Sequence, residues 1–294
     1  MKNYPVFIMG FLRIAQSFCN KKTSSYIKTL DQNIRYGALL EFAAAFFTLP
    51  FIFITGFGGD VKSAVIFGLI CGAGFTLELL TALEALRHAP IVLCTLCSLG
   101  GGIILPSVAG IFFFDEPMTY IQWLGVLLFF VAAFFLAPKE KTEKEKKGSF
   151  VWVIAVLVSS FCINGLLGIA NKYYAVKVVN GNAALYSFFC YFFAGVIFGI
   201  IVLFKSFRKN ANPTEPIIKK TYPYGIALGA ICATIFYLMT VLSRTIPIVF
   251  LNTVPNAMCI AGGLVVGCCF FKEKLTVIKV LGAIIAIVSA SLCI

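Results

Sequence analysis

Charged residues are scarce in this chain of 294 residues, since only 12% of the positions are Asp, Glu, Lys or Arg. A water-soluble domain of this length needs far more polar surface, so the scarcity excludes an ordinary soluble protein. Hydrophobic residues make up 60% of the chain and include 31 phenylalanines. The apolar stretches reach the length of about 20 residues that a membrane helix needs. We therefore expect a multi-pass integral membrane protein.

Histidine and clustered metal ligands are nearly absent as well. His88 is the only histidine, and a lone histidine at a helix end is a poor basis for catalysis. The 11 cysteines lie almost entirely in apolar segments, where a free cysteine acts as a small hydrophobic residue. Cys94 and Cys97 lack the second pair of ligands that a zinc site requires. We expect no catalytic residues, no metal and no cofactor, and hence no enzyme.

The net charge of +12 does not indicate nucleic-acid binding in this chain. The basic residues lie in loops at predicted helix ends, where cytoplasmic retention and attraction to anionic lipid account for them. The loops after the first, fifth and seventh predicted helices hold most of the Lys and Arg. The positive-inside rule would place these loops in the cytoplasm and both termini outside.

Two parts of the chain repeat each other at one constant offset. Residues 87–92 (RHAPIV) match residues 244–249 (RTIPIV), and residues 113–119 (FFDEPMT) match residues 270–276 (FFKEKLT). The glutamates of the second pair of segments are interpreted as turn or helix-start residues rather than solute ligands. Two copies of one helical unit in a hydrophobic chain are typical of transporters built from internal repeats.

The repeat predicts an all-α integral membrane fold with ten transmembrane helices. The first five belong to residues 1–137 and the second five to residues 150–294. Residues 138–149 form a charged linker of mixed sign between them, which is typical of a solvated connection. Because five is an odd number, the second copy enters the membrane from the opposite side. This gives a 5+5 inverted repeat, which supports alternating access around a central site.

The repeated segments also carry a resemblance to a known family. Residues 113–125 (FFDEPMTYIQWLG) and residues 271–282 (FKEKLTVIKVLG) resemble the start of the last helix of each repeat in the drug/metabolite transporter superfamily. Its ten-helix members have paired EamA-type domains, and the resemblance covers essentially the whole chain. It implies a plasma-membrane transporter for small organic solutes, such as amino acids, metabolites or drugs. The family norm places both termini inside, against the charge of the loops, so the orientation stays open.

Polar residues inside apolar helices are costly and usually face a bundle interior or a water-filled path. The repeat offset carries Thr95 and Ser98 onto Asn252 and Pro255, which predicts two facing polar stripes. Close helix packing is the alternative for the small residues, and a structural ion pair is the alternative for the charged ones. We predict that the solute cavity is lined by Arg13, Gln16, Glu78, Thr95, Ser98, Asn164, Tyr237, Asn252 and Asn256.

Transport without ATP is the function that these features favour, because no Gly-x-x-x-x-Gly-Lys-Ser/Thr segment is present. A lipid or lipid-linked sugar flippase on the same fold is the alternative. A membrane-embedded enzyme is disfavoured, since no converging acid, base or metal set is visible. The expected partners are a small-molecule solute and the lipid bilayer, with a homodimer left open and no nucleic acid.

Overall fold

The computed structural model describes residues 4–24, 26–27, 29–88, 91–136, 150–207, 219–271 and 276–293. These residues form α-helices joined by short connections, and no β-strand occurs among them. The predicted linker, residues 138–149, lies outside them. The helices are α1 (Tyr4–Ser24), α2 (Leu30–Thr55), α3 (Val61–His88), α4 (Ile91–Phe113), α5 (Tyr120–Leu136), α6 (Phe150–Lys177), α7 (Ala183–Phe207), α8 (Tyr222–Leu242), α9 (Ile248–Phe271) and α10 (Val277–Leu292), with a short 3-10 turn at Lys219–Thr221.

Among the residues that the structure describes, seven helical segments are long and apolar enough to cross a membrane. Their outer surfaces carry large hydrophobic side chains, such as Phe53 and Phe204, which are 72% and 73% exposed. Side chains of this kind suit lipid rather than water. The prediction of an all-helical, multi-pass membrane protein is confirmed at this level. The segments are Leu30–Thr55, Val61–Ala82, Leu96–Phe113, Val151–Lys177, Ala183–Phe207, Lys219–Leu242 and Ile248–Phe271.

The repeated threonines start the helices α5 and α10. The Thr119 amide donates to Gln122 Oε1 at 3.0 Å, and the Gln122 amide donates to Thr119 Oγ1 at 3.3 Å. This reciprocal pair is a capping box, which satisfies amide groups that the first helical turn leaves open. Thr276 Oγ1 accepts from the Lys279 amide at 3.4 Å. The threonine of the repeated segment is therefore a helix cap in both places.

The chain divides into two compact units, and each is built from stretches that are far apart in sequence. Unit 1 consists of Met1–Ile14, Leu77–Lys172 and Thr245–Ile294. Unit 2 consists of Ala15–Thr76 and Tyr173–Arg244. Each unit thus takes helices from both halves of the predicted repeat. The prediction that the two sequence halves are copies of one repeat is separate from this division into units, because it concerns where the helices come from and how they insert into the membrane.

Unit 1 is held together by close approaches at small residues. In the contact between α5 and α10, Ser289 Oγ donates to the carbonyl oxygen of Gly125 at 2.7 Å. A Cβ atom on Gly125 would lie only 2.7 Å from Cys293 Sγ. In the contact between α4 and α6, a Cβ atom on Gly101 would overlap the backbone of Phe161. Glycine at these two positions lets the helices come closer than any side chain would permit.

Unit 2 is built around aromatic rings. The rings of Tyr174 and Tyr186 stack at 4.0 Å, and Phe75 stacks on Tyr191 at 5.7 Å. Phe236 contacts Phe75 edge-on at 5.3 Å. Such pairs stabilise a particular ring geometry in addition to the packing itself.

Two connections of unit 2 are fastened by one asparagine. Asn182 Nδ2 donates to the carbonyl oxygens of Gly56 and Gly58 at 2.9 and 3.0 Å. Its Oδ1 accepts from the Ala184 amide at 2.9 Å, which caps α7. Asn182 thereby joins the α2–α3 connection to the start of α7.

Candidate functional site

Three polar side chains from three helices of unit 1 meet in one hydrogen-bonded group. Ser98 Oγ, on α4, donates to Glu78 Oε1, on α3, at 3.0 Å. Asn164 Nδ2, on α6, donates to both the carbonyl oxygen and the Oγ of Ser98 at 2.9 Å. We call Glu78, Ser98 and Asn164 the polar cluster. All three were predicted from the sequence as cavity residues, and the structure brings them into direct contact.

Glycine residues of α4 position the cluster. The close approach of α6 at Gly101 brings Asn164 within reach of the backbone of α4, where it bonds the Ser98 carbonyl. A Cβ atom on Gly102 would lie 3.1 Å from Asn164 Oδ1. A larger residue at either glycine would therefore push the asparagine away from Ser98. The glycine run seen in the sequence is what allows the polar side chains to meet.

The cluster lies within three segments that are apolar enough to span the membrane, Val61–Ala82, Leu96–Phe113 and Val151–Lys177. Its three side chains are half-buried. A carboxyl group at this depth is costly and needs polar partners. The hydroxyl of Ser98 supplies one at Glu78 Oε1, while Oε2 receives none of these bonds. The arrangement can accept a hydrogen bond, a proton or a cationic group.

The other predicted cavity residues of unit 1 lie on α1, α4 and α9. Arg13 is half-buried, and its carbonyl oxygen accepts from Cys259 Sγ at 3.3 Å. Asn252 is 6% exposed, and Asn256 lies one helical turn further along α9. The side chain of Thr95 lies outside the part of the chain that the structure describes.

Two predicted cavity residues belong to unit 2 and contact other residues of that unit. Gln16 Nε2 donates to Cys232 Sγ at 3.5 Å. The ring of Tyr237 stacks on Phe51 at 4.4 Å with an angle of 10° between the planes. The stacking packs Tyr237 of α8 against Phe51 of α2.

A second polar contact of unit 1 was not predicted from the sequence. Lys172, near the end of α6, forms an ion pair with Glu116, in the α4–α5 connection. The other oxygen of Glu116, Oε2, accepts from the Ile248 amide at the start of α9 at 2.9 Å. A lysine inside an apolar helix, together with a glutamate in a repeated segment, was the sequence signal for this pair.

Comparison with known proteins gives a fold and no family. No protein-family model and no curated protein matches the sequence. One solved crystal structure, of a protein whose name states no function, matches 99% of this chain over 96% of its own, with a TM-score of 0.77 and 12% sequence identity. At that identity the likeness shows the fold alone.

Proposed function

We propose that this membrane protein is a secondary transporter that moves small organic solutes by alternating access. The proposed architecture is ten membrane helices in a 5+5 inverted repeat, as in EamA-type members of the drug/metabolite transporter superfamily. The support for it is the repeated sequence, the multi-pass helical fold and the polar cluster. The cluster is the main support, because it holds a carboxyl group within a helical segment that is apolar enough to span a membrane.

Helix packing alone does not explain the cluster. Ser98 and Asn164 would tie α4 to α6 by themselves, since polar side chains stabilise such contacts by roughly 0.6–2 kcal/mol. Glu78 adds a carboxyl group whose placement in a membrane helix costs more than a helix contact of this kind returns. Binding of a solute, an ion or a proton would explain why a carboxyl group occupies this position. We assign Glu78 to solute or ion binding and Asn164 and Ser98 to holding it in place.

Uptake into proteoliposomes tests this assignment. A thermal-shift screen of the purified protein first identifies a solute, because a ligand of the folded state raises Tm by mass action. Glu78→Gln keeps the size of the side chain but can neither ionise nor take up a proton; because a hydrogen bond to a charged group is worth about 1.5–3 kcal/mol, we expect uptake to fall roughly tenfold or more. Ser159→Ala is the matched control, because Ser159 is exposed on α6 and bonds only the carbonyl oxygen of Ala155 in its own helix.

Two results would overturn the proposal. Uptake by the Glu78→Gln variant at the parent rate would remove the polar cluster from the solute path. Movement of a fluorescent lipid between leaflets, without uptake of any solute, would replace the transporter by a flippase.

A further inference from the structure

The ion pair between Glu116 and Lys172 is buried at one end of unit 1. The Lys172 side chain is 3% exposed and the Glu116 side chain 20% exposed. Lys172 Nζ also donates to the carbonyl oxygen of Ile246, in the α8–α9 connection, at 3.2 Å. The lysine thus joins α6 to two different connections.

Glu116 makes the same kind of double contact. Its Oε2 accepts from the amide of Ile248, the first residue of α9, where a negative charge also suits the helix dipole. Its own amide donates to the carbonyl oxygen of Gly110 on α4 at 3.0 Å. Two side chains therefore fasten the α4–α5 connection, α6 and the α8–α9 connection to one another.

Unsatisfied polar atoms lie one helical turn inside this ion pair. A Cβ atom on Gly110 would lie 3.1 Å from Ile248 Cγ2, so the end of α4 meets the start of α9. The two helices also share one core cluster, to which α4 contributes Ile103 and α9 contributes Val249 and Ala257. Ser107 on α4 and Asn252 on α9 each lie about one helical turn from the contact between Gly110 and Ile248.

Both side chains are buried, with Ser107 1% and Asn252 6% exposed. Within the described part of the chain, Ser107 Oγ and Asn252 Nδ2 have no hydrogen-bond partner. A buried polar atom without a partner is unfavourable, and an entering water molecule relieves it.

A buried ion pair is well suited to a contact that must open. The attraction of the two charges is largely offset by the loss of their hydration, so the dry pair and two hydrated charges differ little in free energy. An apolar contact at the same place would resist the entry of water. Opening the pair here would hydrate Glu116, Lys172 and the polar atoms behind them at the same time.

We propose that the Glu116–Lys172 pair is a latch that closes this end of unit 1 to water, and that it opens to expose the buried polar atoms of Ser107 and Asn252. The latch rests on the proposed transport function, because alternating access requires an end that closes and opens. It assigns a task to the glutamate of the repeated segment that solute binding leaves unexplained.

Labelling of a cysteine behind the latch tests the proposal. The reporter is Ser107→Cys, in protein reconstituted into lipid nanodiscs and treated with a charged, membrane-impermeant maleimide. Peptide mass spectrometry separates the reporter from the 11 native cysteines. Glu116→Gln keeps the shape of the side chain and its bond to the Ile248 amide but removes the ion pair. We expect it to raise the labelling rate of the reporter about tenfold or more, which corresponds to about 1.4 kcal/mol.

Two variants serve as controls. Glu116→Asp keeps the charge and should stay close to the parent labelling rate. Asp31→Asn removes the ion pair of Asp31 with Lys205 in unit 2, whose N–O distance is 2.6 Å and whose side chains are 36% and 38% exposed. It should leave the labelling rate of the reporter unchanged.

A buried native thiol separates opening of the latch from general loosening. Cys94 is 7% exposed and lies in unit 1. If the reporter and Cys94 gain reactivity together in Glu116→Gln, Lys172→Met is tested in the same way. The latch is overturned if Lys172→Met also raises the reactivity of the reporter and of Cys94 together. It is equally overturned if the reporter in folded Glu116→Gln is labelled at the parent rate. In either case the pair is only a structural contact.

The labelling experiment needs no transported solute, so it can reject the latch whether or not the proposed transport function holds. Faster reporter labelling in Glu116→Gln, with no uptake of any solute by the parent, would keep the opening contact and reject the transporter. Solute uptake by the parent, with unchanged reporter labelling, would reject the latch alone.

Discussion

Units 1 and 2 stabilise their interiors with different chemistry. Unit 1 places hydrogen-bonded and paired charges inside, with Glu78 in the polar cluster and Lys172 in the latch. Unit 2 stacks rings inside, with Tyr174 on Tyr186 at 4.0 Å, and the ion pair of Lys205 is more than a third exposed. Stacked rings favour one dry arrangement, whereas a buried ion pair is close to balance between dry and hydrated states. If the proposed transport function holds, unit 1 is the unit whose interior is suited to change state, while the stacked rings of unit 2 favour a fixed shape.

Unit 2 also buries a carboxyl group, because Glu41 on α2 is 9% exposed. The two units therefore differ in how they use charges and rings, not in whether charge is present. Removing a charge should matter most in unit 1, and removing a ring should matter most in unit 2.

The largest effect is expected for Lys172→Met, which leaves Glu116, with a side chain only 20% exposed, without its cation. Removing one partner of a buried ion pair costs about 3–5 kcal/mol. Lys205→Met, which breaks the exposed pair with Asp31, should cost at most about 1 kcal/mol. Thermal unfolding of both variants in the same detergent measures the difference. Equal losses of stability would remove the contrast between the two ion pairs.

Removing an aromatic ring from unit 2 is the counterpart of removing a charge from unit 1. Tyr186→Ala removes a fully buried ring from its stack and should cost about 3 kcal/mol. Tyr186→Phe removes only the hydroxyl group, which lies 3.0 Å from Cys71 Sγ, and should cost less than about 1 kcal/mol because sulfur is a weak hydrogen-bond partner. Unfolding in detergent measures both. A Phe variant as unstable as the Ala variant would show that the hydroxyl group, not the ring, stabilises unit 2.

A smaller effect is expected where helices approach at glycine. Gly101→Ala places a Cβ atom against the backbone of Phe161, which cannot rotate away, so overpacking should cost about 1–3 kcal/mol. Gly199→Ala on α7 is the matched control, because its nearest contact would be Phe42 Cε2 at 4.0 Å. Since alanine favours helix over glycine by about 1 kcal/mol, the control should match or exceed the parent in Tm. A stable Gly101→Ala variant would contradict the close approach that positions Asn164.

Local sequence patterns carried the prediction of the membrane helices, because run length and apolar composition decide them. The caps of α5 and α10, Thr119 and Thr276, lie in the two repeated segments that the sequence shows. Glu116 was predicted as a turn or helix-start residue, and its carboxylate does accept from an amide at a helix start. The helix is α9, however, 132 positions away, rather than the next one along the chain. No spacing rule in a single sequence selects a partner at that distance.

The polar cluster could be predicted residue by residue, since Glu78 and Asn164 are conspicuous in apolar helices. Its connectivity could not, because the bonds through Ser98 depend on how closely α4 approaches α6. The compact units were not visible either. They arise because α5 packs on α10 and α2 packs on α7 and α8, and these helices are distant in sequence.

The smallest expected effect concerns Asp60, in the α2–α3 connection of unit 2 outside the membrane-spanning segments. The hydroxyl of Ser63 donates to its Oδ2 at 2.5 Å and the Ser63 amide to its Oδ1 at 3.0 Å. These bonds, the hydroxyl bond first, lower the pKa of Asp60 below its usual value. The folded state therefore binds this proton less tightly than the unfolded state, so ionised Asp60 stabilises the fold above its unfolded pKa. That contribution is lost as the pH falls through the lowered pKa.

The matched variant is Asp60→Asn, which still caps α3 but does not titrate. The Tm of the parent should exceed that of the variant near neutral pH, and the difference should shrink as the pH is lowered through the acidic range. A series of melting curves across that range, with both proteins in one detergent, measures it. A difference that stays constant or grows in acid would contradict the stabilising role of the ionised carboxylate. Because Asp60 is partly exposed and solvent screens its charge, this change should be smaller than that at any of the buried positions.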